Sequence, residues 1–294
     1  MDIRHVSCHI GLPAPMKLLQ LTDTHFCLAD ESDSPSRRRL ATRREAEFGV
    51  PMARLREIWD ELVRYGREHD DAIVHTGDFI DFVSHANLRQ MAACLREMDI
   101  FFATGGHEFI QDLDELIDIG MHGRNGETPS YKLESIEKVR QAVANDVFFS
   151  SRLVRGVNLV SVDDSYYTFS RAQLRLLQTE VAKGHPIVLL MHGPLHTRAL
   201  YDEMMRDSYE GRGPAWLVGT PDELRAGYSP QMFALQQPDA DTFAFIDYVK
   251  REPAVKLLLT GHLHRFWTGE LAPGKLQVVT DMSNRGCATE LTLT

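Results

Sequence analysis

The chain has 294 residues, of which 43% are hydrophobic and 25% charged, a composition that fits a globular protein of one large α/β domain or two small ones. Its formal net charge of −10 argues against a broad nucleic-acid-binding surface, although a small phosphorylated substrate remains compatible with it. No apolar stretch reaches the roughly 18 residues of a membrane span, so we expect no membrane partner.

The first half of the chain predicts three buried strands, at residues 17–21, 72–74 and 100–103, separated by helices. Residues 1–16 have the pattern of one short extra strand and a lead-in with prolines, and the polar residues 31–39 predict a loop. Pro51 suits the first position of a helix that runs to about residue 68. Further helices are expected at about 85–97 and at 134–144.

The second half predicts more strands, at residues 147–149, 152–154, 157–162, 187–190 and 255–259. Ser170 is a plausible N-cap for a helix at 171–183, which Gly184 would end, and residues 239–251 supply another helix. Residues 265–271, 276–280 and 288–293 read as antiparallel strands. This alternation predicts an α/β fold of two packed sheets with helices outside.

One segment is longer than this scheme requires. His192 and His262 are 262 − 192 = 70 positions apart, more than a loop and one helix need. We therefore expect a single domain, residues 1–294, with a cap or lid insertion at about 198–238. It is either a small helical cap with its own core or a lid that grips the substrate. Its aromatic and arginine residues are Tyr201, Tyr209, Trp216, Tyr228, Phe233, Arg198, Arg206, Arg212 and Arg225.

Five short motifs each follow, or nearly follow, one of the apolar runs. In chain order they are Asp23-Thr24-His25, Gly77-Asp78, Gly105-Gly106-His107-Glu108, His192-Gly193 and Gly261-His262-Leu263-His264. Ligands of α/β sheets bind just outside the C-terminal ends of the strands. Carboxylates and imidazoles are thus expected to gather at one sheet edge, as in a metal site.

This ordered set resembles the calcineurin-like metallophosphoesterases, whose pattern is D-x-H, G-D, G-N-H-[DE], G-H and G-H-x-H. The resemblance covers Lys17 to about Cys287 and implies a four-layer α/β/β/α sandwich. It also implies a hydrolase that cleaves a phosphomonoester or phosphodiester with a metal-activated hydroxide. Mixed imidazole and carboxylate ligands suit Mn, Fe or Zn better than Ca or Mg.

The resemblance assigns roles to the motif residues. It implies Asp23, His25 and His264 on one metal and His192 and His262 on the other, with Asp78 bridging the two. His107 would protonate the leaving oxygen. Asp81, three residues after Asp78, would stabilise the charged form of His107. An ordinary loop acid or helix cap is the alternative for Asp81, and His75 and His196 remain unassigned.

Gly106 departs from the family pattern, which has a metal-binding Asn at this position. Three protein ligands, Asp78, His192 and His262, would remain on the second metal, with water completing the shell. We therefore expect a weaker second metal site. Glu108 is an alternative ligand.

Two further points concern the type of activity. A protein Ser/Thr phosphatase is disfavoured because Asp81 is followed by Phe82-Val83 and not by the phosphate-binding Arg of that branch; Arg285 is a possible substitute. A small-molecule monoester, a nucleotide and a phosphodiester all stay open as substrates. The alternative function is a binding scaffold that kept the fold and lost catalysis.

The N-terminus and the cysteines indicate a cytoplasmic protein. Residues 1–5 lack the basic-then-apolar order of a signal peptide. Cys8, Cys27, Cys94 and Cys287 are widely spaced without a C-x-x-C pair, which is typical of free thiols in a reducing compartment.

Overall fold

Two β-sheets lie at the centre of the molecule. The structure is a computed structural model that describes residues 1–112, 130–207 and 215–294. The first sheet has five strands in the order β1-β11-β2-β3-β4, and the second has six in the order β5-β6-β7-β8-β10-β9. The strands are β1 Asp2–Cys8, β2 Met16–Leu21, β3 Ala72–His75, β4 Phe101–Phe102, β5 Phe149–Val154, β6 Val157–Val162, β7 Ile187–Leu190, β8 Val255–Thr260, β9 Trp267–Ala272, β10 Lys275–Val279 and β11 Cys287–Leu293.

Both sheets are mixed, with a parallel centre. In the first sheet β2, β3 and β4 are parallel, whereas β11 runs antiparallel to β2 and parallel to β1. In the second sheet β6, β7, β8 and β10 are parallel, and β5 and β9 form antiparallel edges. Parallel neighbours end on the same side, so the loops after β2, β3, β4, β7 and β8 are available to form one site.

Helices cover the outer faces of the sheets. The α-helices are α1 Pro35–Phe48, α2 Met52–His69, α3 His85–Met91, α4 Ser130–Ala142, α5 Arg171–Val181, α6 Arg198–Asp207, α7 Pro230–Leu235 and α8 Ala240–Arg251. A π-helical turn, Ala92–Arg96, extends α3, and 3₁₀ turns occur at Asp222–Leu224 and Ser283–Arg285. In the described part of the chain, no helix is both long and apolar enough to span a membrane.

The strand sequences explain the layers, because successive side chains of a strand point to opposite faces. In β2, Leu18 packs between the two sheets with Leu159 and Leu259 of the second sheet. Its neighbour Leu19 packs outward against α2, in the cluster that contains Trp59. Residues of the second sheet alternate in the same way, with α5 and α8 on its outer face. This arrangement confirms the predicted α/β/β/α sandwich.

Helix α1 corrects the predicted loop, since residues 35–39 belong to this helix. Ser34 caps it by accepting the N–H of Arg37, Pro35 occupies its first turn, and Gly49 ends it with φ 69°. Only Leu40 and Ala41 of α1 are buried, so its sequence carries little amphipathic signal.

Several boundaries also differ from the predictions. Pro51 is the N-cap of α2, which begins at Met52. The segments predicted at 147–149 and 152–154 form one strand, β5, which begins at Phe149. The last strand, β11, does not join the second sheet but pairs with β2 in the first. Local sequence pattern does not encode this long-range pairing. Tyr209 and Arg212 of the predicted insertion lie outside the described residues.

Candidate metal centre

The five motifs meet at one edge of the sandwich. Asp23 and His25 follow β2, Asp78 follows β3, and His107 lies in the loop after β4. His192 follows β7, and the loop after β8 contains His262 and His264, so the second sheet supplies the remaining imidazoles. The facing strand ends of two packed sheets therefore assemble the site.

The first ligand group consists of Asp23, His25 and His264. His264 Nε2 lies 3.3 Å from Asp23 Oδ1 and 3.3 Å from His25 Nε2, and His25 Nε2 lies 3.7 Å from Asp23 Oδ1. Two ligand atoms on a tetrahedral transition metal are about 3.4 Å apart, given bonds of about 2.1 Å. Asp23 Oδ1 is buried and makes no hydrogen bond. A cation at this position would satisfy that oxygen, so the residues fit a metal ion.

The second ligand group consists of Asp78, His192 and His262. His192 Nε2 lies 2.9 Å from Asp78 Oδ2 and 3.2 Å from His262 Nδ1. Asp78 Oδ2 is also 3.8 Å from His25 Nε2, which places this oxygen between the two groups. Both groups have the spacing of metal-ligand sets. Together they form a candidate binuclear centre around a shared carboxylate.

Three of the four candidate ligand histidines have a hydrogen-bond partner at the ring nitrogen that faces away from the centre. His25 Nδ1 lies 3.0 Å from Asp81 Oδ1, and His192 Nδ1 donates to the carbonyl of Thr76 at 2.8 Å. His262 Nε2 shares a hydrogen bond of 2.5 Å with the hydroxyl of Tyr167. Such outer partners fix the tautomer and orientation of a ligating histidine.

Most candidate ligands have strained backbones. Asp23, His25, Asp78, His262 and His264 have φ values of 49°, 51°, 54°, 69° and 51°, in the left-handed region. Hydrogen bonds between loops hold these conformations, including Asp23 N–H to Gly77 O and His25 N–H to Asp78 O, each at 3.0 Å. Such strain is typical of functional sites, where the surrounding structure maintains it.

Asp81 contacts two histidines, His107 and His25. The main-chain carbonyl of Asp81 accepts a hydrogen bond of 2.7 Å from His107 Nδ1, and its carboxylate Oδ1 is 3.3 Å from the same nitrogen. The carboxylate lies nearer to His25. Burial opposes protonation of His107, but the charge of Asp78 and the hydrogen bond to Asp81 outweigh it and raise the pKa of His107.

Helix α1 supplies two site residues that the sequence did not reveal, Arg44 and Phe48. Arg44 binds the carboxylate of Asp81 with both Nε, at 2.7 Å, and Nη2, at 3.0 Å. The ring of Phe48 stacks on His25 with centroids 4.9 Å apart, and the Arg44 guanidinium lies 4.7 Å from the Phe48 centroid. No motif marks these residues, because α1 itself resembles a polar loop in sequence.

Glu108 stabilises the loops and does not face the ligand groups. Its fully buried carboxylate accepts the N–H groups of Gly105 at 2.7 Å, Phe79 at 2.7 Å and Asp78 at 3.0 Å. Gly106 lines the cavity next to the centre and is not among the described glycines with positive φ. Its backbone is thus compatible with a side chain, and Gly106 itself offers no ligand atom.

Charge is concentrated at the centre. Burial opposes protonation of His25, yet Asp23, Asp81 and Asp78 raise its pKa to about 10. Burial and the neighbouring His192 lower the pKa of His262 to about 3. The buried carboxylates thus attract positive charge, which bound cations would also provide.

The unassigned residues lie apart from the ligand groups. His75 packs in the core, where its Nε2 is 2.9 Å from the Thr24 hydroxyl, and burial lowers its pKa to about 3. The ring of His196 contacts that of Tyr201. Arg285 is largely exposed, lies 3.9 Å from Asp281 and does not line the cavity at the centre.

A cavity of about 660 Å³ opens beside the centre. Its lining combines site residues with residues of the segment 198–238. The lining residues are Arg44, Asp78, Gly106, His107, Asp164, Ser165, Tyr167, His192, Gly193, Met204, Trp216, Met232, Leu235, His262, Leu263 and His264.

The fold and the paired ligand groups define a protein with a candidate two-metal centre. The family model of calcineurin-like phosphoesterases matches residues 16–266, so the chain belongs to that family, as its motifs predicted. No curated protein matches the chain.

Solved structures with a similar course of the chain include several phosphoesterases. A dimetal phosphatase from Danio rerio is 12% identical over 91% of this chain and 88% of its own, with a TM-score of 0.47. A calcineurin-like phosphoesterase from Bacillus subtilis is 9% identical over 92% and 82%, with a TM-score of 0.44. The phosphopantetheinyl hydrolase of Mycobacterium tuberculosis is 11% identical over 92% and 90%, with a TM-score of 0.41.

Proposed function

We propose that the protein is a metal-dependent phosphoesterase that hydrolyses a small phosphomonoester or phosphodiester. The observation that carries this proposal is the position of Asp78 Oδ2, 2.9 Å from His192 Nε2 and 3.8 Å from His25 Nε2. A carboxylate shared by two imidazole-rich groups is the arrangement that holds two ions close together. Mn, Fe or Zn suits this donor set.

The ligands of the proposed centre are Asp23, His25 and His264 in one group and His192 and His262 in the other, with Asp78 between them. Bound divalent ions would supply an acidified water as nucleophile and neutralise the phosphoryl oxygens. We expect the second group to hold its ion more weakly, because Gly106 offers no ligand atom.

His107 is the proposed general acid. Its Nδ1 is held by Asp81, so its Nε2 is the atom that gives a proton to the leaving oxygen. His107 lines the cavity, and the carboxylate of Asp81 beside its Nδ1 favours its protonated form. Asp81 orients His107 and His25 and does not touch the substrate in this mechanism.

The segment 198–238 is proposed to act as a lid on the organic part of the substrate. Met204 of α6, Trp216, and Met232 and Leu235 of α7 line the same cavity as the metal ligands. Other residues of the segment, Leu200, Tyr201, Ala215 and Leu217, form a buried cluster with Trp267 and Val279 of the second sheet. The segment thus packs on that sheet and also faces the cavity, which supports the lid.

The test is hydrolysis of p-nitrophenyl phosphate and bis-p-nitrophenyl phosphate by the full chain with Mn²⁺, Zn²⁺ or Fe²⁺. We expect turnover of at least one ester that chelation abolishes and added metal restores. A chain with Asp78→Asn serves as the inactive control for contaminating phosphatases. Metal binding without turnover of either ester would support the alternative, a scaffold that Gly106 helped to inactivate. Absence of bound metal after loading would refute the phosphoesterase function.

A further inference from the structure

The cavity beside the centre has two chemically different sides. The charged and imidazole side chains belong to the metal groups and their neighbours, whereas the lid side is apolar. In the described part of the chain, that apolar side consists of Met204, Trp216, Met232, Leu235 and Leu263, with the ring of Tyr167 next to them. We call these six residues the apolar wall.

The apolar wall begins directly at the second ligand group. The ring centroid of His262 lies 5.6 Å from that of Tyr167 and 6.0 Å from that of Trp216. The rings of Tyr167 and Trp216 are 6.5 Å apart. A group bonded to a phosphate oxygen at the centre would therefore meet aromatic surface within about one ring width.

Three polar groups of the described cavity lining already have partners within the protein. Asp164 accepts the N–H groups of His192 at 2.9 Å and Gly193 at 2.7 Å. The Tyr167 hydroxyl is bonded to His262, and Arg44 is bound to Asp81. Recognition of a sugar or a nucleobase requires several polar groups that converge on the ligand, and these groups are directed elsewhere.

Backbone strain marks the same two aromatic residues. Tyr167 and Trp216 have φ values of 59° and 57°, which are unusual for bulky side chains. Nine non-glycine residues in the described part of the chain have positive φ, and seven of them are these two aromatic residues and the five candidate ligands named above. Strained residues persist where the surrounding structure maintains them, commonly at ligand clamps.

Hydrogen bonds and an ion pair hold the segments next to both aromatic residues in place. The loop before Tyr167 is held by the buried Lys132, which pairs with Asp163 and donates to Ser165 Oγ at 2.7 Å. The segment after Trp216 is fastened by Val218, whose N–H donates to Pro194 O at 2.8 Å and whose carbonyl accepts the His196 N–H at 2.8 Å. The wall is thus a supported surface.

We infer that the centre acts on phosphoesters whose organic part is uncharged and apolar, an alkyl or aryl group bound against the apolar wall. The inference rests on the proposed function and adds the substrate class to it. A cavity of about 660 Å³ has room for a phosphate and such a group. Met204 and Met232 give the wall adaptable side chains, so it accepts a range of apolar shapes.

The test is a series of esters with the same reacting group and an increasing apolar part. Methyl, butyl and octyl phosphate are compared with glycerol phosphate, choline phosphate and adenosine monophosphate by release of phosphate. If the first screen shows only diesterase activity, the corresponding methyl diesters are used. We expect kcat/KM to rise roughly 3- to 4-fold per methylene group until the wall is filled.

Binding separates this inference from the proposed chemistry. Octylphosphonate and methylphosphonate cannot lose a leaving group, and calorimetry on the metal-loaded protein measures their affinities directly. We expect at least about tenfold tighter binding of octylphosphonate, since several methylene groups are buried. Equal affinities, or a preference for the glycerol, choline or nucleotide compound, would overturn the inference while the phosphoesterase function stands.

Variants of the wall complete the test. Met232→Ser should reduce the octyl-to-methyl ratio of affinities by about 3-fold or more, and Trp216→Ala should reduce it further. Leu176→Ser on α5 is the matched control, because Leu176 is exposed and does not line the cavity. If Trp216→Ala does not fold, Met232→Ser decides alone. An unchanged ratio in a folded Met232→Ser protein would contradict the apolar wall.

Discussion

The two ligand groups of the candidate centre differ in how they are supported. In the first group, His25 lies against Asp81 and under Phe48, and Arg44 neutralises Asp81 from outside. In the second group, His262 relies on Tyr167, a neutral partner at the edge of the cavity. The comparison teaches that the first group is supported by a buried ion pair and an aromatic ring, whereas both imidazoles of the second group line the cavity.

The largest effect is expected where the two groups meet. Asp78→Asn removes the charge that both share and should abolish binding of both ions together with phosphoesterase activity, because closely held cations need an anionic bridge. Elemental analysis after metal loading measures the occupancy. Asp247→Asn, at an exposed position on α8, is the matched control. Retention of one ion at full affinity would show that Asp78 serves a single group.

A second substitution separates the general acid from the ligands. His107→Ala should lower kcat by roughly 10²–10⁴ without loss of metal, and the loss should be smaller for p-nitrophenyl esters than for alkyl esters. His69→Ala, at an exposed position of α2, is the control.

His107 also lies near His25 and Asp78 with metal-ligand spacing. Loss of metal on His107→Ala would therefore make His107 a ligand, and the proposed role as general acid would be wrong.

A third substitution sharpens the difference between the groups. Gly106→Asn should raise the metal affinity of the second site by at least about 10- to 100-fold. Removing an outer hydrogen-bond partner of a ligand lowers metal affinity by that range, so adding a direct ligand should gain at least as much. Gly227→Asn is a matched control, because a side chain at Gly227 would meet open space. Metal titration of the three proteins measures the effect. Equal affinities in the original chain and Gly106→Asn would mean that another group already completes the site.

The smallest effect is expected from the support of the first group. Arg44→Met should weaken the first metal site and activity by about tenfold, because Arg44 acts through Asp81 on His25. Arg44→Lys should recover only part of the loss, since an ammonium cannot bind the carboxylate as a bidentate fork. The neighbouring exposed Arg43→Met is the control. Weakening of the second site instead of the first would contradict this division of roles.

Local sequence was sufficient for the strands that lead to the motif residues. The apolar runs before Asp23, Asp78 and His192 form β2, β3 and β7, because buried parallel strands have no polar face. Ser170 caps α5 with a complete capping box, which is also a local property. The order of the motifs was enough to predict the family and the fold.

Local sequence failed for the elements that owe their position to distant contacts. The polar helix α1 is held by contacts with the loops after β2 and β3, and it brings Arg44 to a carboxylate 37 positions away. Asp81 lies beside His107 as predicted from its spacing, but the spacing gave no sign that its carboxylate also contacts His25, at 3.0 Å. Where a side chain has several possible partners, the tertiary geometry decides which of them it contacts. Spacing along the chain does not specify that geometry.

The sequence by itself determined the sandwich, the strand-end motifs and the departure from the family pattern at Gly106, because strand periodicity and residue chemistry can be read from neighbouring positions. Only the tertiary structure decided that Tyr167 and Trp216 meet beside His262 and that residues of the segment 198–238 line the cavity. Tyr167 and Trp216 come from loops with strained backbones, and such conformations persist where contacts with distant segments maintain them. The candidate ligands could thus be proposed from motifs, whereas the shape and polarity of the cavity beside them arise from packing between distant segments.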